Sequence, residues 1–180
     1  MYRRQSVGAF LVLAVLFGGG FFLFGGASTA ELEVGTLAPA LEVTRPDGEA
    51  FRLEELSARA VLVAFWASYD PHCDALMPVL TELERAYDGK GLAVVAVALD
   101  KPEGREYAMK SFFKGISRPQ NLVMAGESTV ETWELSKVPT LYLLTAEGRI
   151  AAAHLGKTST RQLREGIDAV LAYAAEPQAP

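Results

Sequence analysis

The 180-residue sequence predicts an α/β domain built around a βαβ unit, and three observations point to it. Ala60–Ala67 is an unbroken apolar run rich in Val, Phe and Trp, the pattern of a strand buried on both faces. An amphipathic helix follows it, marked by Leu76, Met77, Leu80, Leu83 and Tyr87 at helical spacing. Leu92–Leu99 is a second near-continuous apolar run. Two buried strands joined through one helix imply a right-handed crossover and a parallel pair.

The elements follow in chain order. Residues 1–30 form a segment of their own, because Arg3 and Arg4 are its only charges and Val7–Phe24 is almost entirely apolar or Gly. Eighteen helical residues span about 27 Å, close to a bilayer's hydrocarbon core. The arginines would hold the N-terminus in the cytoplasm and send the following domain outward, into the periplasm or its equivalent. Ser28 and Ala30 also have signal-peptidase spacing, so cleavage near Ala30 with release into the periplasm is the alternative to an anchor through residues 7–24. The length of the apolar run favours the anchor, and Gly18–Gly20 weakens a helix under either reading. No cysteine follows the run, which leaves no lipoprotein attachment site.

Residues 31–38 read as a linker, residues 39–175 as the domain and residues 176–180 as a frayed tail. Leu41–Thr44 and Glu49–Leu53 flank Arg45-Pro46-Asp47-Gly48, a strong turn signal, so a β-hairpin is predicted. Glu54–Ala58 is expected to form a helical turn. After the Ala60–Ala67 strand, Asp70 is a good N-cap and Pro71 suits the first helical position, where a missing N–H costs nothing. Asp88–Gly91 is a turn into the second buried strand. A helix is predicted near Arg105–Lys114, a short strand at Asn121–Met124, and one or two helical turns at Thr129–Leu135. Leu141–Leu144 and Ile150–Leu155 read as strands joined by a hairpin turn at Ala146–Arg149. Leu163, Ile167, Val170, Leu171 and Ala174 mark a closing amphipathic helix.

Charge removes one class of function. Beyond residue 30 the chain carries 15 basic and 22 acidic side chains, a formal charge of −7. Nucleic-acid binding wants the opposite sign, so no nucleic-acid partner is expected.

The turn after the first buried strand holds the chemistry. Cys73, the single cysteine, sits in the first turn of the helix. There the unpaired N–H groups and the macrodipole favour a thiolate, while the carboxylates of Asp70 and Asp74 oppose it. Cys73 is read in several ways: a small buried hydrophobe, a monothiol that forms mixed disulfides or reduces peroxides, or half of an intermolecular bridge. Asp70, His72, Cys73 and Asp74 form a dense donor cluster. Neighbours on a helix point to different faces, however, so no metal site is expected, and no cofactor. The bland readings are a helix cap for Asp70 and a solvent-exposed first-turn residue for His72.

Phe65-Trp66-Ala67, the turn, then Pro71, Cys73, Met77, Pro78 and Leu80 together resemble the active-site stretch of thioredoxin-like proteins. The match is to the TlpA/ResA type (redoxins), the membrane-tethered bacterial thiol–disulfide oxidoreductases and cytochrome c biogenesis thioredoxins. Ala38-Pro39-Ala40, with Asp47-Gly48 and Leu53, is similar to their entry sequence, and Val138-Pro139-Thr140 matches their cis-proline motif. The resemblance covers roughly residues 36–174. It implies the thioredoxin fold, a central mixed sheet flanked by helices with an N-terminal β-hairpin extension. It also implies a peptide-binding groove beside Pro139, lined by Val138 and Thr140, with Trp66 and Tyr69 as further candidate lining residues, although core packing suits Trp66 as well.

The chain departs from that family at Asp70. In the family the turn carries a Cys-x-x-Cys pair, and Asp70-Pro71-His72-Cys73 keeps only the second cysteine. A carboxylate can neither attack a disulfide nor form one. Ala64 stands where thioredoxins proper often have an acid. With one cysteine, dithiol cycling within the chain is excluded by count. Two functions are carried forward: a protein-binding or chaperone-like module at the Pro139 groove, and a redox enzyme working through Cys73 alone.

Overall fold

The computed structural model describes residues 32–103 and 105–175. The apolar segment Val7–Phe24 and the tail 176–180 lie outside the described residues. Among the described residues, no helix is long and apolar enough to cross a membrane.

Seven strands form one mixed sheet: β1 (Val43–Thr44), β2 (Ala50–Phe51), β3 (Ala60–Trp66), β4 (Leu92–Ala98), β5 (Asn121–Ala125), β6 (Thr140–Thr145) and β7 (Ile150–Leu155). Their order across the sheet is β2-β1-β5-β4-β3-β6-β7. β3, β4 and β5 run parallel, as the βαβ reading requires, while β1, β2, β6 and β7 are joined by antiparallel pairings. Among the described residues four helices cover the faces: α1 (Pro71–Ala86), α2 (Arg105–Phe112), α3 (Thr129–Thr132) and α4 (Thr160–Tyr173).

All seven residues of β3 are buried, because the strand lies mid-sheet with cover on both sides. Its side chains alternate between two cores. Leu62, Ala64 and Trp66 pack with Leu76, Met77, Leu80 and Leu83 of α1 and with Leu163 and Ile167 of α4. Val61, Val63 and Phe65 face the other way, towards Trp133 and Tyr142. Phe65 and Trp133 have ring centroids 5.0 Å apart. Helix α4 opens with a capping box, Ser159 and Gln162 each accepting from the other's backbone N–H, so two otherwise unpaired donors are satisfied.

The N-terminal hairpin is shorter than its sequence suggests. Gly48, at φ 92°, closes the turn, with Arg45 N–H donating to the Glu49 carbonyl at 2.7 Å. β1 continues the sheet by pairing with β5, Val43 opposite Ala125. The helical turn expected at Glu54–Ala58 forms slightly upstream, as a 3-10 turn at Leu53–Glu55. Residues 32–38, expected as a linker, lie along the start of β7. Gly35 N–H donates to the Ile150 carbonyl at 2.8 Å, and Ile150 N–H returns a bond to Thr36. This segment satisfies part of an otherwise unpaired sheet edge, which the residues alone do not reveal.

Candidate functional site

The βαβ crossover places the Ala67–Asp70 turn at the C-terminal end of β3, where the chain reverses into α1. Asp70 caps that helix as expected: its carboxylate accepts from His72 N–H at 2.8 Å and sits 3.0 Å from His72 Nδ1. These bonds hold the Asp70 carboxyl below its ordinary range. Pro71 takes the first helical position. His72 has 68% of its side chain exposed whereas Cys73 is fully buried, so the first-turn donors point apart.

Burial decides the state of the sulfur. Cys73 is packed among Trp66, Met77 and the rest of the α1-side core, and its thiol is pushed up to about 11. Desolvation is the main cause, and the carboxylates of Asp70, Asp74 and Asp100 add to it. A backbone hydrogen bond with Ala67 works in the opposite direction without reversing the outcome. At neutral pH Cys73 is a protonated thiol beneath the surface.

Asp100 is the residue that sequence reasoning passed over. It stands just beyond the end of β4, 6% exposed, and its carboxylate accepts from Ser68 N–H at 3.1 Å and from the Ser68 hydroxyl. The Arg105 guanidinium binds the Asp100 carbonyl at 2.7 Å and leaves the carboxylate to Ser68. Parallel pairing of β3 and β4 brings the two loops together across 32 residues of sequence. An acid directly after a buried apolar run was the only signal available.

The second half of the site arrives through β6. Phe65 pairs with Thr140, so the segment before Thr140 lies beside the turn that follows Trp66. The Val138–Pro139 peptide is cis. Gly156 N–H donates to the Pro139 carbonyl at 2.7 Å, and the Thr140 hydroxyl donates to the Lys137 carbonyl at 2.8 Å. Pro139 and Thr140 are buried and Val138 is half-buried. The Val138 main chain has no hydrogen-bond partner among the described residues.

Of the expected groove residues, Tyr69 is 73% exposed at the turn, next to Asp70. Trp66 belongs to the core instead. It is fully buried, with its ring 4.6 Å from Phe112 and 5.6 Å from Phe113, because the inward pleat of β3 at this position faces α1 and α2. The surface at this end of the sheet therefore offers the Tyr69 ring, the Asp70–His72 pair and the free Val138 backbone.

The chain is similar to known proteins in sequence and fold. The AhpC/TSA family model matches residues 34–153, and the chain belongs to that family. It is 29% identical over 170 residues to a thiol-disulfide oxidoreductase ResA of Bacillus thuringiensis subsp. konkukian, covering 92% of this chain and 96% of the relative. It is 25% identical to the thioredoxin-like protein YneN of Bacillus subtilis, covering 93% of this chain and 99% of the relative. Among solved structures, a putative thiol:disulfide interchange protein DsbE from Chlorobium tepidum superposes with a TM-score of 0.70 at 26% identity, covering 78% of this chain and 99% of that one. The fold is thioredoxin-like, and the TlpA/ResA resemblance carried by the turn and the Val138–Thr140 motif is borne out at the level of family.

Proposed function

We propose that this member of the AhpC/TSA family is a protein-binding, chaperone-like module that holds an extended segment along Val138–Pro139 and Tyr69, without disulfide chemistry. The observation that carries this reading is the state of Cys73. The only cysteine is fully buried, and its thiol is raised to about 11. Disulfide exchange needs an accessible thiolate, and cycling without a partner needs a second sulfur. Supporting the binding role, the unpaired Val138 backbone offers one donor and one acceptor to an extended chain, as a sheet edge does. Tyr69 adds an exposed aromatic surface beside it. The domain is placed outside the cytoplasm, tethered through residues 7–24, on the sequence pattern of Arg3, Arg4 and the apolar run.

The competing reading, a monothiol enzyme acting through Cys73, needs the sulfur at the surface. Insulin reduction by dithiothreitol, followed with the full chain in nonionic detergent, separates the two. The expected result is no acceleration over background, together with saturable binding of a reduced, carboxymethylated unfolded protein that Tyr69→Ala weakens at least fivefold. Acceleration that Cys73→Ser abolishes would replace the binding module with the enzyme.

A further inference from the structure

A cleft of about 260 Å³ lies between the β1–β2 turn and the segment leading into β5, lined by Arg45, Asp47, Arg118 and Gln120 among others. We propose that this cleft binds a phosphate group, held by the guanidinium forks of Arg45 and Arg118 with the Gln120 side-chain amide as a further donor.

Arg164 pairs with Glu82 at 2.7 Å and Arg161 with Glu165 at 3.7 Å, while the Arg59, Arg105 and Arg149 guanidinium groups donate to main-chain carbonyls. Among the described residues, neither Arg45 nor Arg118 has a carboxylate within 4.0 Å. Arg45 lies over the Phe51 ring, 4.8 Å from its centroid, a contact that orients the guanidinium and leaves its in-plane donors unused. Asp47 also lines the cleft, and its Oδ1 already accepts from Glu49 N–H at 3.0 Å. The Gln120 backbone N–H is committed to Glu84, which leaves the side-chain amide for a ligand.

Guanidinium stays charged at any physiological pH, so with the Asp47 carboxylate counted against the two arginines the cleft keeps one net positive charge for an anion. A single carboxylate satisfies one fork, whereas a tetrahedral dianion presents oxygens to both forks and to the amide. Phosphate is the matching chemistry.

Topology places this cleft far from Cys73. β3, β4 and β5 are parallel and Asn121 lies level with Val95 and Val63, so the segment leading into β5 points towards the sheet end where β3 begins, away from the Ala67–Asp70 turn at the other end. β7 also runs parallel to β3, through two antiparallel steps, so residues 35–37 at its start lie at the cleft end. The chain therefore enters the domain towards the same end of the sheet as the cleft, at the opposite edge strand. An anionic lipid headgroup of a bilayer that holds Val7–Phe24 is one source of the phosphate. A free phosphate or phosphoester is the other source.

The test follows the Arg45 and Arg118 Nε–H resonances of the full chain in nonionic micelles, with chloride at matched ionic strength as reference. One arm titrates inorganic phosphate. The other dopes the micelles with phosphatidylglycerol in the absence of free phosphate. Saturable shifts with phosphate alone support a site for free phosphate groups, and shifts confined to doped micelles support a headgroup site. In the arm that shows binding, Arg118→Gln should weaken it at least tenfold. Arg45→Lys, which keeps the charge and loses the fork, should weaken it measurably, and Arg161→Gln should leave it unchanged. Unchanged melting temperatures certify that the variants fold. No shift beyond the chloride reference in either arm, or binding undiminished in Arg118→Gln, overturns the proposal.

Discussion

Labelling of Cys73 by iodoacetamide tests the reasoning about the site most directly, and its size can be worked from the structure. Raising a thiol from its ordinary 9.0 to about 11 lowers the thiolate population at pH 7 about 100-fold. The remaining thiolate is more nucleophilic, which returns roughly 6- to 10-fold. Ionisation alone would therefore slow attack on the sulfur in its buried place by about 10- to 16-fold. The sulfur is also fully buried, so the reagent needs the turn to open. Opening breaks the Ser68 bonds to the Asp100 carboxylate, and a hydrogen bond to a charged group contributes about 1.5 to 3 kcal/mol. At 1.4 kcal/mol per tenfold, losing both bonds makes the open form at least about 100-fold rarer than the closed one, and the opened thiol, back in water, regains its ordinary pKa, so opening sets the rate. The full chain should label at least about 100-fold more slowly at pH 7 than the same chain unfolded in urea, read by mass spectrometry. The rate should climb tenfold per pH unit with no plateau below pH 10. A rate within about threefold of the unfolded chain, or a plateau with an apparent pKa under 8, would refute the burial argument and the binding-module reading with it.

Two further outcomes follow from the same structure. Cys73 and Tyr87 both hold their protons more tightly when folded, at about 11 and about 12 against ordinary values of 9.0 and 10.0. The folded state then binds more protons than the unfolded one, so stability is intact below pH 9 and falls as pH rises from 9 to 11 for Cys73 and from 10 to 12 for Tyr87. Urea midpoints measured at pH 8 and pH 10.5 should show Cys73→Ala losing less stability across the interval than the parent chain, and an equal loss would contradict the assignment. Glu134, at φ 48°, ends α3 in the left-handed region, where a side chain costs about 1 to 2 kcal/mol and glycine costs nothing sterically. After glycine's entropy of about 0.5 to 1 kcal/mol is subtracted, Glu134→Gly should stabilise the domain by about 0.5 to 1 kcal/mol in urea denaturation.

Much of this protein is local in character, and that part is legible in the residues. Ala60–Ala67 and Leu92–Leu99 announce buried strands because a strand covered on both faces has no polar side to alternate with. Asp70 and Pro71 announce the start of α1 because the first free N–H groups and a preset φ are needs of that one turn. The cysteine count, from which the expectation of no dithiol cycling comes, is a property of composition alone. The cis state of Val138–Pro139 was expected only through family resemblance, since an X–Pro bond by itself favours trans.

What the tertiary structure decided depends on partners distant in sequence. The helix N-terminus and the neighbouring acids pull Cys73 in opposite directions, and burial settled the balance by removing water from the sulfur. Trp66 could face a groove or a core until Phe112 and Phe113 closed over it, 46 and 47 residues later. Asp100 meets Ser68 only because two parallel strands end side by side. Arg45 and Arg118, 73 residues apart, share a cleft because β1 pairs with β5. Local pattern encodes where the chain bends and which faces it buries; the fate of a thiol or a guanidinium is set by desolvation and charge, and these exist only once the chain has folded.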